Sequence, residues 1–191
     1  MSKLRIISGE FGGRWIAAPD GRTTHPMGDR VRSGLFNIID VSGALVLDAY
    51  AGSGAVGLEA LSRGATTVDF VERDKKAQRI IAENIAGLGV EARAKLYKMS
   101  VHGFIDDRVA KMTAANGTRI AYDVVFADPP YHFFDKPDYF STAFELKKLV
   151  KPKGLMVLSY PGRLCAPTVN GVVVVDKRSY GDAGLAVFRF E

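Results

Sequence analysis

The chain has 191 residues, 47% of them hydrophobic, a size at which one domain buries roughly 70% of its unfolded surface and needs no disulfide or metal staple. A lone cysteine, Cys165, and three scattered histidines, His25, His102 and His132, exclude a disulfide scaffold and a recognisable zinc cluster, and fit a reducing, cytoplasmic compartment. There is no signal-like start and no apolar run of about 18 residues, so the expectation is a soluble monomer without membrane contact, and its net charge of +5 suits an anionic partner.

The positive charge is concentrated at the beginning. Residues 1–32 hold Lys3, Arg5, Arg14, Arg22, Arg30 and Arg32 against Glu10, Asp20 and Asp29. Such a patch suits a polyanion, because phosphate contacts release counterions; a solvated face is the bland alternative. Leu4 to Ser8 and Arg14 to Ala17 read as two short strands around the glycine-rich stretch Gly9 to Gly13, a basic hairpin. Pro19, Asp20, Gly21 and Pro26 mark a loop, after which Val31, Leu35, Ile38 and Ile39 recur at helical spacing between Asp29 and Asp40. Residues 1–40 are therefore expected to be a basic hairpin and helix extension of a main domain at 41–191.

From residue 44 strands and helices alternate. The pattern predicts a strand at Leu45 to Leu47, a helix from Ala55 to Arg63 closed by Gly64, a strand at Thr67 to Val71, and a helix from Asp74 to Ile85 with Asp74 as N-cap. A strand over 91–97, a helix over 101–115 and a strand over 122–127 follow, then a helix near Tyr139 to Leu149 and a strand at Leu155 to Ser159. The last two strands, Val172 to Asp176 and Leu185 to Phe190, flank Gly181 and Gly184 and read as a hairpin at one end of the sheet. The fold class is α/β: a mainly parallel sheet covered on both faces, with an antiparallel final hairpin.

Two loops carry chemistry. Asp48-Ala49-Tyr50-Ala51-Gly52-Ser53-Gly54 joins the first strand of this series to its helix, where glycines let the backbone approach a ligand. With Gly57 it satisfies G-x-G-x-x-G, and Glu72, at the end of the second strand, can accept both hydroxyl hydrogens of a ribose. A ligand-free turn, a pyridine dinucleotide and S-adenosylmethionine all fit this pattern. Asp48 favours the last, because a carboxylate at the cradle entrance suits an ammonium and a sulfonium, whereas a dinucleotide brings a pyrophosphate.

The second loop is Asp128-Pro129-Pro130-Tyr131, at the end of the buried run Tyr122 to Ala127. Open α/β sheets bind ligands at this end. An exocyclic base amine is a poor nucleophile because its lone pair is conjugated into the ring. Asp128 and the Pro129 carbonyl can accept its two hydrogens and draw the nitrogen toward a tetrahedral geometry. Tyr131 would stack on the base, with Phe133 and Phe134 as an apolar wall or lid. A proline turn with a capping acid and a core tyrosine is the structural alternative.

These two loops resemble the Rossmann-like S-adenosylmethionine-dependent methyltransferases that act on base amines. Arg5-Ile6-Ile7-Ser8-Gly9, Gly13-Arg14, Asp29 to Asn37 and Leu58 to Ala65 are similar, more specifically, to the bacterial 16S rRNA (guanine-N2)-methyltransferase family. The resemblance implies a three-layer fold, methylation of guanine N2 in 16S rRNA within a 30S subunit or assembly intermediate, and S-adenosyl-L-methionine as cofactor. It implies cofactor contacts from Asp48, Tyr50, Ala51, Gly52, Ser53, Gly54, Glu72, Arg73, Met99 and Ser100. Catalysis would fall to Asp128, Pro129, Pro130 and Tyr131, and RNA contacts to Arg5, Arg14, Arg30, Arg32, Phe133 and Phe134. Arg30 and Arg32 match the family's basic helix start, where phosphate or cofactor-carboxylate contacts are expected. The chain departs from the family pattern at His25-Pro26-Met27, at Lys98-Met99-Ser100, and at Ser159-Tyr160, where an acid is usual. Methylation of DNA adenine N6 and a non-catalytic assembly protein are the alternatives; the short length argues against the first and the intact loops against the second.

Overall fold

The computed structural model describes residues 2–19, 27–114, 121–135, 139–167 and 172–191, so the His25-Pro26 step and the Asp20-Gly21 loop lie outside the described residues. Its strands are β1 (Ser2–Arg5), β2 (Trp15–Ala18), β3 (Leu45–Ala49), β4 (Thr67–Val71), β5 (Ala94–Tyr97), β6 (Tyr122–Ala127), β7 (Val150–Pro161), β8 (Val172–Tyr180) and β9 (Ala183–Phe190). The α-helices are α1 (Asp29–Phe36), α2 (Ala55–Ser62), α3 (Lys75–Leu88), α4 (Val101–Ala114) and α5 (Tyr139–Phe144), with 3₁₀ turns at Tyr131–Asp135 and Glu145–Leu149. Seven strands form one sheet in the order β5-β4-β3-β6-β7-β9-β8. The first five are parallel, while β9 runs antiparallel to both β7 and β8. The expected mixed sheet with a terminal hairpin is therefore present, and β1 and β2 form the separate antiparallel hairpin of the extension.

Alternation along the strands makes three layers. Val46, Val68, Phe70, Val124, Phe126 and Val157 enter a core with α2, α3 and the extension, whereas Leu47, Val71, Val125, Met156 and Leu158 enter a second core with α4 and α5. Residues of β-period therefore serve opposite faces, as a sheet covered on both sides requires. Asp74 caps α3 by accepting hydrogen bonds from Lys76 and Ala77 N–H, and Gly89 closes it in the left-handed region at φ 71°. No described helix is long and apolar enough to cross a membrane.

Several boundaries differ from the sequence pattern for local reasons. Helix α1 stops at Phe36 instead of reaching Asp40, because Ile38 and Ile39 N–H turn back onto the Leu35 carbonyl and carry Ile39 into the core. Strand β7 begins at Val150, before the Pro152 and Gly154 that make the sequence look like a loop. The register with β6 slips between Tyr122 and Val124, so the strand runs through an irregularity at that point. Strand β8 continues to Tyr180, and the hairpin turns at Gly181 while Gly184 lies inside β9, where a Cβ would meet the Tyr160 ring at 2.4 Å.

The extension has no separate core. Ile6, Phe11, Ile16, Leu35 and Phe36 join the cluster that contains Leu58, Leu61 and Val68. Two side chains of α2 fasten it. The fully buried Glu59 carboxylate accepts Ile7 N–H at 2.7 Å and Ser8 N–H at 3.1 Å. Ser62 Oγ accepts Phe11 N–H at 2.9 Å, and its carbonyl accepts Glu10 N–H at 2.7 Å. Gly9 sits so close to this helix end that a Cβ would fall 1.9 Å from the Ser62 oxygen.

Arg32 belongs to the same fastening, which corrects its expected place on an RNA or cofactor surface. Its side chain is fully buried and donates to the carbonyls of Met27 at 3.1 Å and Arg5 at 2.6 Å and to Asp29 at 2.9 Å, with Nε 3.7 Å from Glu59. The charge is consumed inside the protein.

Candidate active site

Strand register brings the two loops together. Ala49 lies opposite Val71 on β4 and Ala127 on β6, so the next residues, Tyr50, Glu72 and Asp128, leave three neighbouring parallel strands at one level. Tyr97 of β5 pairs with Val71 and sends Lys98-Met99-Ser100 toward the same edge. The result is a cavity of about 1250 Å³ at the carboxyl ends of the strands, lined by residues of both loops. This is where an open α/β sheet offers its crevice.

The first loop is held open by its backbone. Tyr50 takes a left-handed φ of 65°, and Ala51 N–H returns to the Val71 carbonyl at 3.1 Å. Gly52, at φ 56°, lines the cavity and would place a Cβ where nothing lies within 4 Å, so the space beside it is kept free. Glu72 is pinned across the opening by Gly52 N–H at 2.9 Å and Asp74 N–H at 2.7 Å, one on each oxygen. Each oxygen keeps a further lone pair for a diol. Gly57, the third glycine of the fingerprint, allows α2 to touch β4: a Cβ there would come within 2.4 Å of the Phe70 ring.

Asp48 lies on the cavity floor, not at the cradle entrance as the sequence suggested. It is 2% exposed and accepts Gly57 N–H at 2.9 Å. Burial pushes its carboxyl up to about 8, against the Gly57 hydrogen bond, and the Asp128 and Glu72 carboxylates raise it further. Four acidic residues, Asp48, Glu72, Asp74 and Asp128, line the cavity against Arg73 and Lys76, an excess that favours a cationic ligand. The folded protein retains the Asp48 proton up to about pH 8, whereas the unfolded chain releases it near 3.8. Ionisation therefore opposes folding increasingly as pH rises through that window. Asp48→Asn is expected to raise the melting temperature of the ligand-free protein at pH 8.5, with the gain shrinking toward pH 4, and, above about pH 8 where the carboxyl is ionised, to weaken binding of a cationic cofactor by roughly tenfold or more, the effect of losing one charge-assisted contact. Paired thermal-shift and calorimetric titrations check both; a gain that grows toward pH 4 would contradict the assignment.

The second loop presents Asp128 at the cavity wall. Burial lifts its carboxyl to about 6, and a hydrogen bond from the buried Ser159 on β7 opposes the rise. Burial raises the Tyr131 phenol, and the neighbouring Ser159 opposes that rise too. Ser159 thus neighbours both Asp128 and Tyr131. The Pro130 carbonyl is committed to Phe133 N–H at 2.9 Å. Phe133 reaches the cavity, but Phe134 does not, which corrects its expected role in a lid. It packs in the second core, edge-on to Tyr139 at 4.4 Å and Phe140 at 5.3 Å, behind Tyr131.

The remaining candidates separate. Met99 and Ser100 line the cavity, where Ser100 Oγ accepts Gly103 N–H at 3.1 Å and so caps α4. Arg73 lines it too, with its guanidinium 5.4 Å from the Phe133 ring centre. Arg5, Arg14 and Arg30 are exposed and lie outside the cavity lining, so none of them serves a cofactor carboxylate there. Arg14 also clamps the hairpin connection to α3 by donating to the Gly87 carbonyl at 2.6 Å.

Three contributions were not anticipated. Pro19 and Met27 bring the extension into the cavity wall. Tyr139, another lining residue, has a buried hydroxyl without a hydrogen-bond partner of good geometry, although it lies close enough to Tyr50 for the two phenols to perturb one another. Asn84 joins the extension to the cradle: its amide exchanges bonds with Ala17 N–H at 2.8 Å and Ala17 O at 2.9 Å, and also donates to Ser53 O at 3.0 Å. A polar residue inside the apolar stripe Ala77, Ile80, Ile81, Ile85 and Leu88 was its sequence signal.

The acidic floor, the free space at Gly52, the pinned Glu72 and the unpartnered Tyr139 hydroxyl fit a cationic nucleoside such as S-adenosylmethionine. Comparison with known proteins agrees. The sequence profile described as Conserved hypothetical protein 95 matches residues 4–189. The chain is 32% identical over 189 residues to "Putative rRNA methyltransferase YlbH" of Bacillus subtilis, covering 97% of this chain and 98% of that protein. It is 37% identical over 134 residues to "Ribosomal RNA small subunit methyltransferase D" of Escherichia coli K12, covering 68% of this chain and 61% of that protein. The structure of "Putative methyltransferase yhhF from Escherichia coli" superposes with a TM-score of 0.81 at 27% identity, covering 100% of this chain and 99% of that one.

Proposed function

The chain belongs to the Conserved hypothetical protein 95 family, and from that premise we propose that it transfers a methyl group from S-adenosyl-L-methionine to the exocyclic N2 amine of a guanine in 16S rRNA. The observation that carries the reading is the placement of Asp128 at the wall of the cavity floored by Asp48 and spanned by Glu72. A cation-binding cradle and a hydrogen acceptor for an amine share one opening. S-adenosylmethionine, when bound, supplies an electrophilic methyl group on a sulfonium centre. Glu72 would hold its ribose hydroxyls, Asp48 would face its positive charge, and Met99 and Phe133 would border it with apolar surface.

Toward the base, Asp128 accepts one hydrogen of the amine and the Pro129 carbonyl the other, which turns the nitrogen lone pair out of conjugation. Tyr131 stacks on the ring. The Asp128 carboxylate also stabilises positive charge as it develops on the nitrogen. The substrate is an unpaired or rotated guanine, because a paired base cannot enter such a pocket. It is presented by the small subunit or an assembly intermediate in the cytoplasm, with Arg5, Arg14 and Arg30 on the phosphates.

Because its carboxyl sits at about 6, Asp128 becomes protonated as pH falls through that value and ceases to accept a hydrogen, so turnover should decline on the acid side. Ser159→Ala removes a bond that favours the carboxylate. The acid limb of kcat/KM should therefore move to higher pH, and an unmoved limb in a full pH profile would detach Ser159 from Asp128. The activity itself is tested by transfer of labelled methyl groups to 30S particles, 70S particles, free 16S rRNA and duplex DNA. Label in guanine N2 of 16S rRNA is the expected result; label confined to DNA adenine, or cofactor binding without transfer to any polymer, would overturn the reading.

A further inference from the structure

We infer that Trp15 is a base-stacking platform for an unpaired nucleotide of the RNA outside the catalytic cavity, a role that rests on the rRNA-methyltransferase reading above. Trp15 is 63% exposed, the most exposed large hydrophobic side chain among the described residues. Its position is fixed by the hairpin pleat. In β2 the alternate residues Ile16 and Ala18 are 3% and 1% exposed and face the body, which turns Trp15 outward. Arg5 lies directly opposite Trp15, and Lys3 lies opposite Ala17, so both cations share the outward face with the indole.

Among the described residues, no aromatic ring and no cation stacks on Trp15, which leaves the exposed part of the indole open to a ligand. No acid occupies the strand positions of this face. Glu10, in the connection between the strands, is already paired with Arg93 at 2.8 Å. An exposed indole among cations that have no acidic partner among the described residues matches the chemistry of single-stranded RNA, which brings phosphates and exposed π-faces together. A protein partner of neutral or basic surface would find the cations repulsive or idle. The strand also leads to the site: Pro19, just after β2, lines the cavity. Four residues of strand at about 3.3 Å each place Trp15 roughly 13 Å from that wall. A nucleotide stacked there would flank the target base.

The protein contains one tryptophan, so its emission reports this position alone. Adding a short unstructured oligoribonucleotide at low salt should quench that emission, and moderate salt should restore it. In methyl transfer to 30S particles, Trp15→Ala should raise KM for the particle roughly tenfold, with kcat and cofactor affinity unchanged, and Trp15→Phe should keep most of the wild-type KM. An unchanged KM in the alanine variant, or equal damage by alanine and phenylalanine, overturns the proposal. A raised KM without quenching by oligoribonucleotide also overturns it and assigns the contact to a ribosomal protein. If the wild-type enzyme methylates no 30S particle or rRNA, the underlying reading fails, and this inference fails with it; that result is distinct from an active enzyme indifferent to Trp15.

Discussion

Asp128→Ala is expected to reduce turnover by about a hundredfold to a thousandfold while leaving cofactor affinity within a few-fold of wild type. The size follows from what Asp128 does in the proposed reaction: it orients the amine and faces charge that appears mainly as the new bond forms. Such an interaction is stronger in the transition state than in the ground state, so its loss lowers kcat more than it weakens binding. The geometry also separates it from the cradle, since Glu72 is held by Gly52 and Asp74, and Asp48 by Gly57. Asp128→Asn keeps the shape and part of the acceptor but removes the charge, and should fall between wild type and alanine. Single-turnover rates with calorimetric cofactor titration make the measurement. Equal losses of cofactor affinity and rate would recast Asp128 as a binding or structural residue.

Glu59→Ala is expected to cost about 3–5 kcal/mol of stability, the usual penalty for breaking a buried ion pair by removing one partner. That is a large share of the roughly 5–15 kcal/mol that holds a typical domain together. Arg32 keeps Asp29 and two carbonyls, but the N–H groups of Ile7 and Ser8 lose their acceptor. Arg63, 2.7 Å from the same carboxylate, loses its partner too. Urea unfolding gives the number, and protease sensitivity in the first 40 residues shows where the loss falls. A change below about 1 kcal/mol would mean that water readily replaces Glu59.

Much of the site was legible because its parts are local. Asp48 to Gly54 and Asp128 to Tyr131 each follow a recognisable apolar strand, and the parallel register converts that shared position into spatial proximity. Asp74 announced the start of α3 by its chemistry alone. Arg32 and Phe134 were misleading because burial depends on partners distant in sequence. A cation at a helix start looks solvated until Glu59, on another helix, is brought beneath it. Phe134 follows Phe133 in a 3₁₀ turn, and only the arrival of Tyr139 and Phe140 decides which ring faces the cavity. Asp48 was identified as a site residue, but its depth was hidden, since it depends on the close seating of α2 that Gly57 permits. Only the Leu155 to Ser159 part of β7 was legible, because Pro152 and Gly154 mimic a loop where the sheet accommodates a register slip.

The fastening of the hairpin by Glu59, Ser62 and Asn84 turns an appendage into a ruler. An RNA held on a flexible arm would sample many positions over the pocket, with an effective concentration set by the length of the tether. Here the arm has no slack, so the span from grip to pocket is built into the protein. On the proposed reading, which nucleotide reaches Asp128 would be decided by how many lie between it and the grip, and selectivity among guanines would be a matter of length as well as of contacts.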